Sequence, residues 1–288
     1  MPENLKALRG RIKSINMTKK ITRAMEMVSA AKLRKTEGVM KASRPFMEKI
    51  QLLLGRLALS TGAQEHPLFQ KSETGVPLLV VFTSDRGLCG AFNANILKLA
   101  VARLKSEPGL KVFVIGRKGR DYLRRYFATR IVREMTDATL TGEFTNAIAD
   151  ELLNGFLDGR YSRIELLYPH FISTVYNKPT MERYLPLEPA AFGVSATDAL
   201  TPVDYILEPS PERVFEVVLP RFLKSKIFLT LAESMTSEHS SRMMAMNNAT
   251  KNCNELASGL TLRLNKARQA VITTEIIEIV SGAEALKG

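Results

Sequence analysis

The run RIKSINMTKKITRAMEMVSAAKLRKTE, residues 11–37, contains neither proline nor glycine, the two residues that most often stop a helix. Leading into it Leu5, Leu8, Ile12 and Ile15 step by 3 and 4; after it Met40, Ser43, Met47, Ile50, Leu54 and Leu57 do the same. That spacing is the seam of a coiled-coil helix. The apolar residues between, Ile21, Met25 and Val28, are out of step, so a phase break is expected there. Pro45 is expected to bend the helix, because it removes a backbone donor and crowds the preceding turn.

The far end of the chain mirrors this one. After the breaker cluster EPSPE at 208–212, Met246, Ala249, Cys253, Leu256 and Leu260 step by 3 and 4, as do Ile272, Ile276, Ile279, Ala283 and Leu286. Taken as straight helices at 1.5 Å per residue, the two ends would be rods of roughly 85 and 110 Å. The C-terminal one is then expected to outrun its partner by about 18 residues, roughly 27 Å, leaving an unpaired tip rich in isoleucine. Bare apolar surface of that kind is a liability in free solution, so something else must enclose it.

Between the two helices the pattern changes. GVPLLVVFTSD (75–85), LKVFVIG (110–116) and RIELLYP (163–169) read as strands; LCGAFNANILKLAVARLKS (88–106), RKGRDYLRRYF (117–127) and TNAIADELLNGFLDG (145–159) read as helices. Short extended stretches are expected at 173–176 and 205–207. Strands alternating with helices argue for a mostly parallel sheet covered on both faces. The fold class expected is therefore α/β: an antiparallel coiled coil of two long terminal helices flanking an inserted Rossmann-like α/β domain. The boundaries expected are a first coil helix over 1–60, a linker over 61–75, the α/β domain over 76–207 and a second coil helix over 208–288.

Composition narrows the function. The chain has 288 residues, is 45% hydrophobic and 24% charged, and carries a net charge of +12. Residues 1–60 hold 14 Lys and Arg against 4 Asp and Glu, so nearly all of the excess sits on one helix. Such a helix could track nucleic-acid phosphates, but Phe46 is its one aromatic residue and the chain has no tryptophan on which bases could stack. No G-x-x-x-x-G-K-[ST], G-x-G-x-x-G or G-x-S-x-G motif occurs. The pairs Gly87/Gly90 and Gly116/Gly119 each follow a strand and open a helix, where backbone amides either cradle a phosphate or make a tight turn. Cys89 and Cys253 have no metal-ligand spacing and are expected to be inert thiols. His66, His170 and His239 lack a neighbouring nucleophile pattern, so no catalytic residue, cofactor or metal is expected. No apolar run approaches the roughly 20 residues that span a bilayer, and the opening MPENLKALRGRIKS has no apolar core of a secretory signal.

Four blocks, INMTKKITRAMEMVSAAKLRK (15–35), SDRGLCGAFN (84–93), SEHSSRMMAM (237–246) and NKARQAVITTEIIEIVSGAEAL (265–286), closely resemble the gamma-subunit family of F-type ATP synthases. The resemblance implies a non-catalytic central rotor shaft that couples ion-driven rotation of a membrane ring to ATP synthesis or hydrolysis in a hexamer of alternating alpha and beta subunits. It implies alpha, beta and epsilon subunits and the membrane c-ring as partners, no nucleic acid and no cofactor. It also implies a peripheral location on the cytoplasmic face of a bacterial inner membrane, since no transit peptide is expected. By the same resemblance Met25, Arg242, Arg268, Gln269, Thr273 and Glu275 match positions of rotor–stator contact, and Tyr205 in DYILEP matches a foot position near the membrane ring. Read from the residues alone, Met25 could equally be seam packing, the charged groups a solvated helix face, and the α/β domain a nucleotide-binding enzyme.

Overall fold

The computed structural model describes residues 5–60, 66–70, 75–188, 192, 208 and 210–285. Helix α1 spans Leu5–Ser60. Strand β1 (Val76–Phe82), helix α2 (Phe92–Ser106), strand β2 (Lys111–Ile115), helix α3 (Arg117–Phe127), strand β3 (Ile131–Met135), helix α4 (Gly142–Leu157) and strands β4 (Tyr161–Phe171) and β5 (Asn177–Leu185) follow, and helix α5 spans Pro211–Ala285. By compactness the chain divides into two units: residues 30–242, and residues 1–29 with 243–288. Both long helices pass from one unit into the other.

In the larger unit the sheet order is β3-β2-β1-β4-β5, with β1 to β4 parallel and β5 antiparallel on the edge. Alternation along a strand sends side chains to opposite faces, and here both faces are covered. Leu79 and Val81 of β1 pack with Ile96, Ala100 and Leu104 of α2 and Leu123 of α3. Leu78, Val80 and Phe82 pack on the other face with Ile148 and Leu152 of α4, Leu54 of α1 and Leu223 and Ile227 of α5. Helix α4 begins where Thr141 accepts the Phe144 amide at 3.4 Å, an N-cap that the reading from Thr145 onward missed.

Two edge strands depart from the expectation. No strand is expected at 131–135, yet β3 forms there. As an edge strand it carries Arg133 and Glu134, which hide the apolar alternation. Residues 173–176, expected to be extended, are the turn of the β4–β5 hairpin, closed by Ser173 N to Tyr176 O at 2.9 Å; the strand starts at Asn177. The stretch at 205–207 lies outside the described residues. Pro45 lies within α1, which runs unbroken through it. A buried carboxylate ties three elements together: Glu233 of α5 accepts from Arg44 of α1 at 2.9 Å and meets His170 Nδ1 of β4 at 2.6 Å.

In the smaller unit, residues 5–29 of α1 pair in antiparallel fashion with α5 from residue 243 onward. Thr22 and Thr250 share a hydrogen bond of 2.8 Å, and Asn247 Nδ2 donates to Glu26 at 3.0 Å. The expected phase break does not exist. Leu8, Thr22 and Ser29 are buried, Ile12, Ile15, Lys19 and Glu26 are half-buried, and these positions alternate by 3 and 4 throughout. In the larger unit α1 keeps the same alternation through Leu33, Thr36, Met40, Met47, Ile50, Leu54 and Leu57. Ile21 and Val28 face outward, 55% and 56% exposed. The α5 seam keeps the expected Met246, Cys253 and Leu260 and differs by one residue at two positions, using Thr250 and Ala257 in place of Ala249 and Leu256. Threonine fits a seam because its hydroxyl can bond a carbonyl one turn back while its methyl faces the partner. Thr22 lies 3.1 Å from the Lys19 carbonyl and Thr250 2.8 Å from that of Met246.

The register that sets Thr22 against Thr250 puts Leu5 level with Ala267, and the last half-buried residue of α5 among those described is Val271. Residues 272–284 are all exposed, among them Ile272, Ile276, Ile277, Ile279 and Val280. The unpaired apolar tip expected from the sequence is present.

A seam carried by polar residues makes a sharp test. Ile21→Ser and Val28→Ser should each change stability by less than about 0.5 kcal/mol, because both side chains already face water. Thr22→Lys and Ser29→Lys should each cost about 2 kcal/mol or more, from burial of an unpaired ammonium. Urea unfolding followed by helicity ranks the four; the reverse ranking would restore the phase break.

Candidate functional site

The turn from β1 into α2, Thr83–Ala91, is the most elaborately held loop in the larger unit. Thr83 is buried, donates to the Ile115 carbonyl at 2.9 Å and accepts the Gly119 amide at 3.0 Å. Gly116 sits at φ +101°, and a Cβ there would lie 2.1 Å from the Thr83 carbonyl oxygen; one on Gly119 would lie 2.5 Å from Thr83 Oγ1. Glycine is required at both because Thr83, directly after β1, packs against them, its backbone on Gly116 and its side chain on Gly119. Asp85 then accepts from the Arg117 amide and from the Ala138 amide, each at 3.0 Å. The amino end of α3, where an anion would bind, is therefore filled by the chain's own carboxylate. Of the two readings of the second glycine pair, the geometry is that of a tight turn.

Asn93 closes the first glycine pair's turn from within: its Oδ1 accepts the Ser84 amide at 3.0 Å and its Nδ2 donates to Ser84 Oγ at 2.7 Å. Leu88 is held at the tip in the left-handed region, φ +62°, with its side chain largely exposed. A non-glycine residue there is strained and needs outside support. Arg242 of α5 supplies it. Only 7% exposed, its guanidinium donates from Nη2 to the Arg86 carbonyl at 2.9 Å and from Nε to that of Gly87 at 3.2 Å, and pairs through Nη1 with Glu238 at 2.7 Å.

Burial pushes the Glu238 carboxyl up, and the charge of Arg242 beside it opposes that shift. His239, on the same turn of α5, is drawn down to about 4 by burial first and by Arg242 and Lys32 second. Its buried Nδ1 has no hydrogen-bond partner. This histidine is neutral packing between two cations, and neither it nor His66, stacked edge-on to Phe69 and Phe215, neighbours a nucleophile. Cys89 is buried beside Ser84 and Asn93 with no base at hand, and Cys253 is buried in the coil seam. Among the described residues no group of His, Cys, Asp or Glu could hold a metal ion.

The residues singled out in the sequence divide between the units. Arg242 is in the larger unit and turns inward to the 84–90 loop. Met25, half-buried, stands beside the coil seam of the smaller unit, and its carbonyl accepts from Ser29 at 2.7 Å. Arg268, Gln269, Thr273 and Glu275 lie together on exposed turns of α5, where Thr273 donates to the Gln269 carbonyl at 2.9 Å. Tyr205 lies outside the described residues. Sequence reasoning missed Asp85 and Glu238: their partners are backbone amides and a buried arginine that no local pattern reveals.

The ATP synthase family model matches residues 4–286. The ATP synthase gamma chain of Moorella thermoacetica is 41% identical over 287 residues, 99% of each chain, and that of Flavobacterium johnsoniae is 42% identical over 288 residues, again 99% of each. Among solved structures, a chain of the Euglena gracilis mitochondrial ATP synthase rotor superposes with a TM-score of 0.66 at 17% identity, covering 93% of this chain and 98% of that one. A chain of the Tetrahymena thermophila central stalk and c-ring structure gives 0.60 at 24% identity, covering 80% and 99%. The solved structures show likeness of fold.

Arg242→Ala should cost on the order of 3 kcal/mol, because it strands a buried carboxylate and releases two turn carbonyls. Trypsin should then cut after the exposed Arg86 at least about tenfold faster than in the parent chain; unchanged cleavage would mean the arginine does not hold the turn. The second expectation concerns pH. The folded value of His239 lies below its ordinary 6.5, so the unfolded chain takes up the proton first. Its contribution is fully present above pH 6.5 and is lost as pH falls toward about 4, by up to about 3 kcal/mol across that window. His239→Gln should flatten the pH dependence of urea unfolding there, and a slope that survives the replacement would contradict the assignment.

Proposed function

This chain belongs to the ATP synthase gamma-chain family, and on that footing we propose that it is the central rotor shaft of an F-type ATP synthase. It couples ion-driven rotation of a membrane ring to ATP synthesis and hydrolysis in a hexamer of alternating alpha and beta subunits, and carries no chemistry of its own. The observation that supports this reading best is the bare tip of α5. Thirteen consecutive exposed residues, 272–284, include five large apolar side chains, which suits a shaft end enclosed by a bearing.

The mechanism follows from asymmetry. A two-helix coil has different residues around its circumference, so each of three identical catalytic sites meets a different face at any one angle. Only differential contact can bias an equilibrium between conformations, and turning the coil moves that bias from one site to the next. On α1, residues 5–29 carry seven Lys and Arg against the single Glu26, which suits acidic loops on the surrounding subunits. Met25, Arg268, Gln269, Thr273 and Glu275 are assigned as contact positions. Arg242 is assigned an indirect part: it presents the 86–88 turn in a fixed shape. The α/β body serves as the foot toward the epsilon subunit and the c-ring, with Tyr205 near the ring. The location assigned is peripheral, at the cytoplasmic face of a bacterial inner membrane; no helix among the described residues is long and apolar enough to cross one.

Expression with alpha and beta subunits, and separately alone, tests the reading by size exclusion with light scattering. The expected product is a complex with one copy of this chain per hexamer and a hydrolytic activity that the lone chain lacks. A stable monomer that ignores those partners would refute it. Removal of residues 277–288 should weaken assembly and smooth rotation before it abolishes coupling, because the remaining coil still presents an asymmetric face. Complete loss of torque in complexes that assemble normally would show that the tip carries more of the mechanism.

A further inference from the structure

Helix α3, RKGRDYLRRYF, carries five cations, and the fold uses three of them. Arg117 pairs with Asp137, Arg120 with Asp121 at 2.8 Å, and Arg124 with Glu134 at 2.6 Å. Lys118 and Arg125 have no ion pair among the described residues. At 100° per residue those two share an exposed face of the helix, about 100° wide, with Tyr122 and Tyr126, beside the buried stripe of Gly119 and Leu123. The tyrosines touch, ring centroids 5.3 Å apart, and are 43% and 61% exposed. Their hydroxyls have no hydrogen-bond partner among the described residues.

We propose that this face of α3 docks an acidic segment of a partner protein. The pair Tyr122/Tyr126 is a rigid aromatic platform that loses little rotamer freedom on contact, and tyrosine and arginine are the residue types that dominate binding energy at protein interfaces. Lys118 and Arg125 flank the platform with two uncommitted positive charges, while the neighbouring cations are neutralised by this chain's own carboxylates. Charge complementarity therefore selects carboxylates on the partner. A membrane surface fits less well, since two cations contribute only about 1 kcal/mol each at an anionic bilayer and no apolar residue on this face inserts. Nucleic acid fits less well again, because tight phosphate tracking takes about 6–10 contacts. The inference rests on the chain's place as the rotor of a multisubunit complex, which supplies the partner.

The test uses that complex, co-purified with its other subunits and reconstituted with its membrane sector in vesicles of phosphatidylcholine and phosphatidylglycerol. A photo-crosslinking phenylalanine derivative replaces Tyr122, and the cross-linked peptides are identified by mass spectrometry. The result expected is one major adduct to a segment rich in Asp and Glu, reduced about tenfold by the exposed pair Lys118→Glu and Arg125→Glu and weakened by raised salt. A complex that assembles but gives no protein adduct, an adduct to lipid, or an adduct to a segment without net negative charge would overturn the proposal. So would a yield that the charge reversals leave unchanged in a chain of unaltered melting temperature. A chain that fails to assemble at all would instead count against the rotor reading itself, which separates the two failures. As a second measurement, Tyr126→Ala should lower the adduct yield with Tyr122 still labelled; full yield would remove the platform from the account.

Discussion

Everything in the smaller unit depends on one constraint: two helices must keep a 3–4 spacing while filling much of the seam with hydroxyls and charges. Thr22, Ser29 and Thr250 bury small side chains, and Lys19 and Glu26 reach the seam edge. Such a seam excludes far less apolar surface than a run of leucines would, at roughly 25 cal/mol per Å². Register is therefore held by specific pairs, Thr22 with Thr250 and Glu26 with Asn247, more than by hydrophobic mass. A coil built this way is regular along its length yet varied around its circumference, which a part that must present unlike faces to like neighbours requires.

The larger unit solves a different problem, that of holding a strained turn still. Leu88 in the left-handed region, two glycines packed against Thr83, and Asp85 spanning two amides form a loop with little freedom. Arg242 completes it from α5. A buried arginine with one carboxylate and two carbonyls is costly to desolvate, and its return is geometric definition more than stability. The neutral His239 beside it avoids adding a third positive charge to a dry site.

Much of this was legible in the sequence, and what was not has identifiable causes. Strands β1, β2 and β4 announce themselves because strands covered on both faces carry continuous apolar runs, LLVVF, VFVI and LLY. Strand β3 stays hidden because an edge strand carries charges that a hydropathy pattern reads as loop. Most of the seam was legible, from Leu8, Ile12 and Ile15 through Met40, Met47, Ile50, Leu54 and Leu57 and at Met246 and Cys253, but it was misplaced around Thr22 and Thr250, since apolar periodicity favours Ile21 and Leu256 and the threonines' backbone bonds cannot be seen in a one-dimensional pattern. The bare tip was legible because isoleucines there are dense and the two helices differ in length. The inward turn of Arg242 was not, because its carbonyl partners lie more than 150 positions away and carry no side-chain signature.

The central claim is that this chain turns within its complex, and rotation is the direct observable. A complex immobilised through its beta subunits, with a probe attached to a cysteine placed at the exposed Lys98 of α2, can be watched one molecule at a time while ATP is supplied. The account predicts unidirectional turning with three dwell angles per revolution, arrested when ATP is withdrawn. A probe that stays fixed relative to the beta subunits while ATP is hydrolysed would contradict it.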